Sequence, residues 1–98
     1  MADASVPMML RVLTPAGTAA ETGCESVVFS IPDDAKGRGG GLVGIQRDHA
    51  PAVFAVAGGL VRATLRGRDV LLLTVSGGFA SVKDNVVTVL TDSAVIEE

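Results

Sequence analysis

The chain has no tryptophan and no tyrosine, only three phenylalanines, one cysteine and one histidine. Each scarcity removes a class of function. With Cys24 alone no intramolecular disulfide can form, and Cys24 plus His49 cannot supply the three or four ligands of a zinc site. Cys24 reads instead as a small buried thiol in an intracellular protein. Few aromatics mean few platforms on which bases could stack, and a net charge of -3 offers no attraction to phosphate backbones or anionic lipid. Nucleic-acid binding is therefore not expected. No apolar run reaches the ~18 residues needed to cross a bilayer as a helix. The opening MADASVPMML lacks the basic flank and apolar stretch of a signal peptide.

What is present is aliphatic. Of the 98 residues 48% are hydrophobic, ample for one core and too few for two. Residues 1–98 read as a single domain, with 1–8 as a disordered tail. Val, Leu and Ile in short stretches between turn residues favour strands. Nine can be read: Met9–Thr14, Thr18–Thr22, Ser26–Ile31, Leu42–Ile45, Ala52–Val56, Leu60–Leu65, Val70–Val75, Phe79–Val82 and Val86–Thr91. Pro15-Ala16-Gly17, Arg66-Gly67-Arg68-Asp69 and Lys83-Asp84-Asn85 turn the chain between them. Asp33–Gly41 carries charges of both signs and four glycines, the composition of a mobile loop. After Thr91, Asp92 or Ser93 would suit the N-cap of a helix entered through Glu97 and Glu98. The expected class is all-β, a sandwich of nine or ten strands.

Catalytic signals are weak. Gly39, Gly41 and Gly44 satisfy G-x-G-x-x-G, but Pro51 and the β-rich Ala52–Val56 follow where a dinucleotide site needs a helix N-terminus. No phosphate-binding P-loop pattern occurs. His49 could act as a base with Asp48, and Ser76, Ser81 or Ser93 as nucleophile, yet no G-x-S-x-G elbow accompanies them. The simpler reading makes His49 a turn residue whose ring bonds the adjoining backbone. Ser76-Gly77-Gly78 marks a reversal in which the backbone runs close to a neighbouring strand or a partner. No cofactor, metal or catalytic residue is expected.

Three segments in register carry a resemblance: Leu42-Val43-Gly44-Ile45 through His49-Ala50-Pro51, then Ser76-Gly77-Gly78-Phe79, then Asn85–Ala94. Together they resemble the N-terminal domain of the epsilon subunit of bacterial and chloroplast ATP synthases, called delta in mitochondria, over Leu10 to Glu98. The resemblance implies a ten-stranded sandwich of two five-stranded sheets, without chemistry of its own. It implies as partners the gamma subunit and the ring of c subunits, which the domain locks together so that ion flow becomes torque. It places the loop Asp33–Val43, and with it Gly41, Leu42, Val43 and Gly44, toward the ring. It places the turn Asp48, His49, Ala50 and Pro51 near gamma. The implied location is the cytoplasmic face of the inner or plasma membrane, reached only through the complex.

Two departures qualify it. Leu42 stands where many relatives carry an acidic residue facing the ring. Relatives also continue past the position of Glu98 into a helical hairpin that can inhibit ATP hydrolysis, so a chain that stops there is expected to have no such latch. The rival expectation is a free-standing β-sandwich interaction module outside the motor.

Overall fold

The computed structural model describes residues 8–32 and 40–97, and within them ten strands form two five-stranded sheets. In chain order they are β1 (Met8–Thr14), β2 (Gly17–Cys24), β3 (Ser26–Ile31), β4 (Gly41–Gln46), β5 (Ala52–Val56), β6 (Gly59–Thr64), β7 (Val70–Val75), β8 (Gly78–Lys83), β9 (Val86–Thr91) and β10 (Ala94–Glu97). The first sheet has the order β2-β1-β9-β8-β5 and the second β10-β7-β6-β3-β4. Every ladder is antiparallel except β1–β9, where Met9 to Leu13 run parallel to Val86 to Leu90. The all-β, two-sheet expectation is met, and residues 33–39 of the expected mobile loop lie outside the described residues.

The period-two burial of the strands explains why they face one another. In β1 Met8, Leu10 and Val12 point inward, as do Val87, Val89 and Thr91 of β9 and Val61 and Ala63 of β6. Phe29 is the largest fully buried side chain, and it meets Phe54 edge-on with ring centroids 5.8 Å apart. The rest of the core is aliphatic, each fully buried Leu, Ile or Val contributing about 1.5–3 kcal/mol.

Three expectations are corrected. Met8, assigned to the tail, opens β1 and is buried. Its backbone is drawn into the sheet because it pairs with Cys24. The second strand is longer than Thr18–Thr22 and reaches Cys24, with a bulge in its register at Val12/Leu13. The helix suggested after Asp92 is strand β10: Ala94, Val95 and Ile96 pair with Val75, Thr74 and Leu73, and Thr74 donates to Glu97 Oε2 at 2.6 Å. A free sheet edge offered this segment more backbone bonds than one helical turn could.

Ser76-Gly77-Gly78 runs close to neighbouring strands. A Cβ on Gly78 would fall well inside van der Waals contact with the Leu90 carbonyl oxygen, and one on Gly77 would lie 3.2 Å from the Val56 carbonyl oxygen. Beside this reversal the buried Thr91 hydroxyl donates to the Ser93 carbonyl at 3.2 Å and lies 3.1 Å from Ser76 Oγ. Ser93 N–H donates in turn to Ser76 Oγ at 3.2 Å. The crossing from β9 in one sheet to β10 in the other is thereby pinned.

Candidate partner-binding surface

The eight residues singled out in the sequence fall into two runs that meet only at their inner ends, where Gly44 and His49 line one shallow depression. Gly41, Leu42, Val43 and Gly44 open β4, the edge of the second sheet, whereas Asp48, His49, Ala50 and Pro51 lie in the connection leaving its far end. Only Ile45, Gln46 and Arg47 lie between the two runs, so Gly44 and Asp48 are at most about 13 Å apart, while Gly41 and Pro51 lie farther from each other. At the first end Leu42 points outward opposite Ser30 and is 75% exposed, while Val43 turns inward opposite Phe29. Gly44 faces outward opposite Val28, with room for a side chain.

At the second end the chain passes from the edge of one sheet to the edge of the other, since β5 borders the first sheet. No ladder holds this turn. Asp48 adopts φ 66°, and its N–H donates to Asn85 Oδ1 at 2.7 Å. His49 Nδ1 lies 2.7 Å from the Ala50 carbonyl oxygen. Because a carbonyl only accepts, this nitrogen carries the proton. The His49 ring meets Phe54 edge-on at 6.2 Å, so His49, Phe54 and Phe29 form a file of rings from surface to core. This is the turn-residue role anticipated for His49.

The same geometry sets two of the three candidate serines apart from His49, while Ser81 pairs with Val53 near the His49 end of β5. Ser76 and Ser93 sit beside Gly78, which pairs at the Val56 end of β5, while His49 lies beyond its Ala52 end. Among the described residues no three His, Cys, Asp or Glu side chains are grouped to hold a metal. No described helix is long and apolar enough to cross a membrane. Burial pushes the Cys24 thiol up to about 11 by desolvation, which makes it a poor nucleophile. Near it lies an open depression of about 1030 Å³ whose charged lining mixes Glu25, Asp48 and Asp69 with Arg47 and Arg66. Such a mixture selects no charge of ligand.

A larger surface escaped the sequence reading. On the outer face of the first sheet Ala55, Phe79, Leu90 and Leu13 stand side by side across β5, β8, β9 and β1. Phe79 is 60% and Leu90 52% exposed, and Val53, one pleat along β5, is 72% exposed. A depression of about 390 Å³ adjoins this row, lined by Leu13, Pro15, Phe79 and Leu90 among others. The neighbouring row is polar: Ser81, Thr88, Arg11 and Glu21, the last two paired at 3.0 Å. A sheet with one face in water alternates apolar and polar residues along its strands, so an apolar row on that face is a candidate contact surface. The available signal was Leu90: Val87, Val89 and Leu90 cannot all face one core, and one apolar residue of the run had to point away.

Comparison with known proteins returns the same architecture. Residues 7–97 match the family model described as the ATP synthase delta/epsilon chain β-sandwich domain. The ATP synthase epsilon chain of Desulfitobacterium hafniense is 39% identical over 85 residues, which are 87% of this chain and 58% of that one. The epsilon chain of a Synechococcus strain is 36% identical over 87 residues, 89% of this chain and 58% of that one. The chain thus spans little more than half the length of these relatives. Among solved structures, a chain of the Euglena gracilis mitochondrial ATP synthase superposes with a TM-score of 0.73 at 23% identity, covering 92% of this chain and 53% of that one. One from the central stalk and c-ring of the Tetrahymena thermophila mitochondrial enzyme gives 0.62 at 16%, covering 91% and 66%. At such identities these two likenesses establish the fold.

Proposed function

Because the chain belongs to the ATP synthase delta/epsilon family, as its β-sandwich domain, we propose that it is a non-catalytic central-stalk subunit that locks the gamma shaft to the ring of c subunits. Ion flow through the ring then becomes torque on the shaft. The observation that carries this reading is the exposed apolar row Ala55–Phe79–Leu90–Leu13 on one sheet face, which continues along β5 through Val53 toward Pro51. This face and the Asp48–Pro51 turn would seat gamma. The Gly41–Gly44 end of β4 would face the ring, with Leu42 making an apolar contact where many relatives offer a carboxylate.

The mechanism asked of such a subunit is mechanical. Torque passes through a body in proportion to its stiffness, and two sheets closed over an aliphatic core deform little, because packed interiors are dense and resist compression. Contacts at the two ends of β4 let the same rigid body touch two partners at once. The subunit would sit on the cytoplasmic face of the membrane as a peripheral part of the complex.

The test is binding of purified gamma subunit from the same ATP synthase by the chain and by Phe79→Glu. A side chain this exposed alters folding by less than about 0.5 kcal/mol when replaced. As a central apolar anchor, its loss should weaken binding at least about 30-fold. Wild-type chain that fails to bind gamma would leave the free-standing interaction module as the better reading.

A further inference from the structure

We propose that Asn85 is the positioning residue of the partner-binding turn Asp48–Pro51, setting its conformation through a reciprocal amide–carboxylate clamp. The proposal rests on the reading of that turn as a gamma contact. Asn85 lies in the two-residue connection Asp84-Asn85 between β8 and β9, closed by the pair Lys83–Val86. Both residues have positive φ, 53° and 65°, as the tightest hairpin turns require. The Asn85 carbonyl accepts from Met9 N–H at 2.8 Å, which anchors it also to the start of β1. From this fixed base its side chain reaches across to the turn. Oδ1 accepts from Asp48 N–H at 2.7 Å, and Nδ2 donates toward Asp48 Oδ1 at 3.5 Å.

No other residue type meets all the demands at this position. The backbone needs the left-handed region, which Asn, Asp and Gly tolerate. The side chain must both accept from an N–H and donate to a carboxylate, which Asp cannot do and Gly has no atoms to do. Asp48 itself sits at φ 66°, so the clamp holds a residue that would otherwise drift to commoner backbone regions. On the other side of the turn His49 is held by the Ala50 carbonyl and by Phe54. Ala50 and Pro51 are exposed just beyond these two holds.

The experiment measures affinity for the purified gamma subunit, together with hydrogen exchange at the Asp48 amide, in Asn85→Gly, in the exchange Asp48→Asn/Asn85→Asp, and in Ala50→Arg. Asn85→Gly keeps the backbone conformation free of strain and removes the clamp alone. Asp48 exchange should accelerate and gamma affinity should fall, each about tenfold. The exchanged pair restores acceptor and donor in reversed places and should recover both to within about threefold. Ala50→Arg should block docking while Asp48 exchange stays slow. The proposal is overturned if Asn85→Gly binds gamma within twofold of wild type while Ala50→Arg does not, which leaves the turn as a contact without need of its clamp. It is overturned equally if the exchanged pair stays weak. If Ala50→Arg binds normally, the turn is no gamma contact, and the reading of that turn falls together with the proposal.

Discussion

Replacing Gly78 by alanine should remove a large part of the domain's stability, and the reason can be worked from two neighbours. Gly78 has φ 146°, a region where a residue with a Cβ is strained by about 1–3 kcal/mol. The added methyl group would also overlap the Leu90 carbonyl oxygen and stand 3.0 Å from its carbon and 3.2 Å from Thr91 Cα. These atoms belong to the facing strand, since Gly78 pairs with Thr91 and Phe79 with Leu90. Relief requires the end of the β8–β9 ladder to open, losing one or two backbone hydrogen bonds of about 1 kcal/mol each. The two effects together come to about 2–5 kcal/mol, against roughly 5–15 kcal/mol for a domain of this size. In urea, with a slope of about 1.5 kcal/mol/M, the midpoint should fall by roughly 1–3 M. Gly17→Ala is the control, because Gly17 has φ 127° and nothing within 4 Å of an added Cβ. It should show the backbone strain without the collision. Equal midpoints for the two variants would refute the collision argument.

Three further outcomes follow from two groups inside the fold. The Cys24 thiol, pushed up to about 11 by burial, should react with a disulfide reagent at pH 8 about a hundredfold more slowly in the native than in the urea-unfolded chain. Since burial disfavours its thiolate, the contribution of Cys24 to stability is intact below pH 9 and is lost as the pH rises toward 11. Titration of the urea midpoint over that window, for wild type and Cys24→Ala, checks the sign: the variant should lose less. Thr91→Val should cost about 1 kcal/mol, because the buried hydroxyl between Ser76 Oγ and the Ser93 carbonyl is replaced by a methyl that bonds neither. Differential scanning calorimetry would register it, and amide exchange at Ser93 should accelerate.

The strands were legible because their residues alternate or run apolar between turns that glycine, proline and asparagine mark. Lys83-Asp84-Asn85 illustrates it: both of its central residues take positive φ, as a two-residue hairpin needs. Asp92 to Glu97 misled because a helix cap is a local signal, whereas the pairing of Ala94–Glu97 with β7 depends on a strand twenty residues back that happens to present a free edge. The proposed partner surface was half legible. His49 and its turn stand out as the lone histidine beside a proline. Val53, Phe79 and Leu90 come from three different strands, and only the cross-strand register brings them to one face. Asn85 was read as a turn former, and nothing in the sequence indicates that its side chain reaches Asp48.

The parallel pairing of β1 with β9 has a consequence for how the chain acquires its binding face. Residues 9 to 13 find their second neighbour only at residues 86 to 90, some 77 positions further along the chain. Contacts of such separation form late, since the loop must close before they return anything. The β3-β4 and β6-β7 hairpins of the other sheet join near neighbours and can assemble earlier. The apolar row needs β5, β8, β9 and β1 at once, so it is among the last surfaces to exist. On the proposed function, a half-made chain would have nothing to offer the shaft, and docking would be reserved for molecules whose fold is finished.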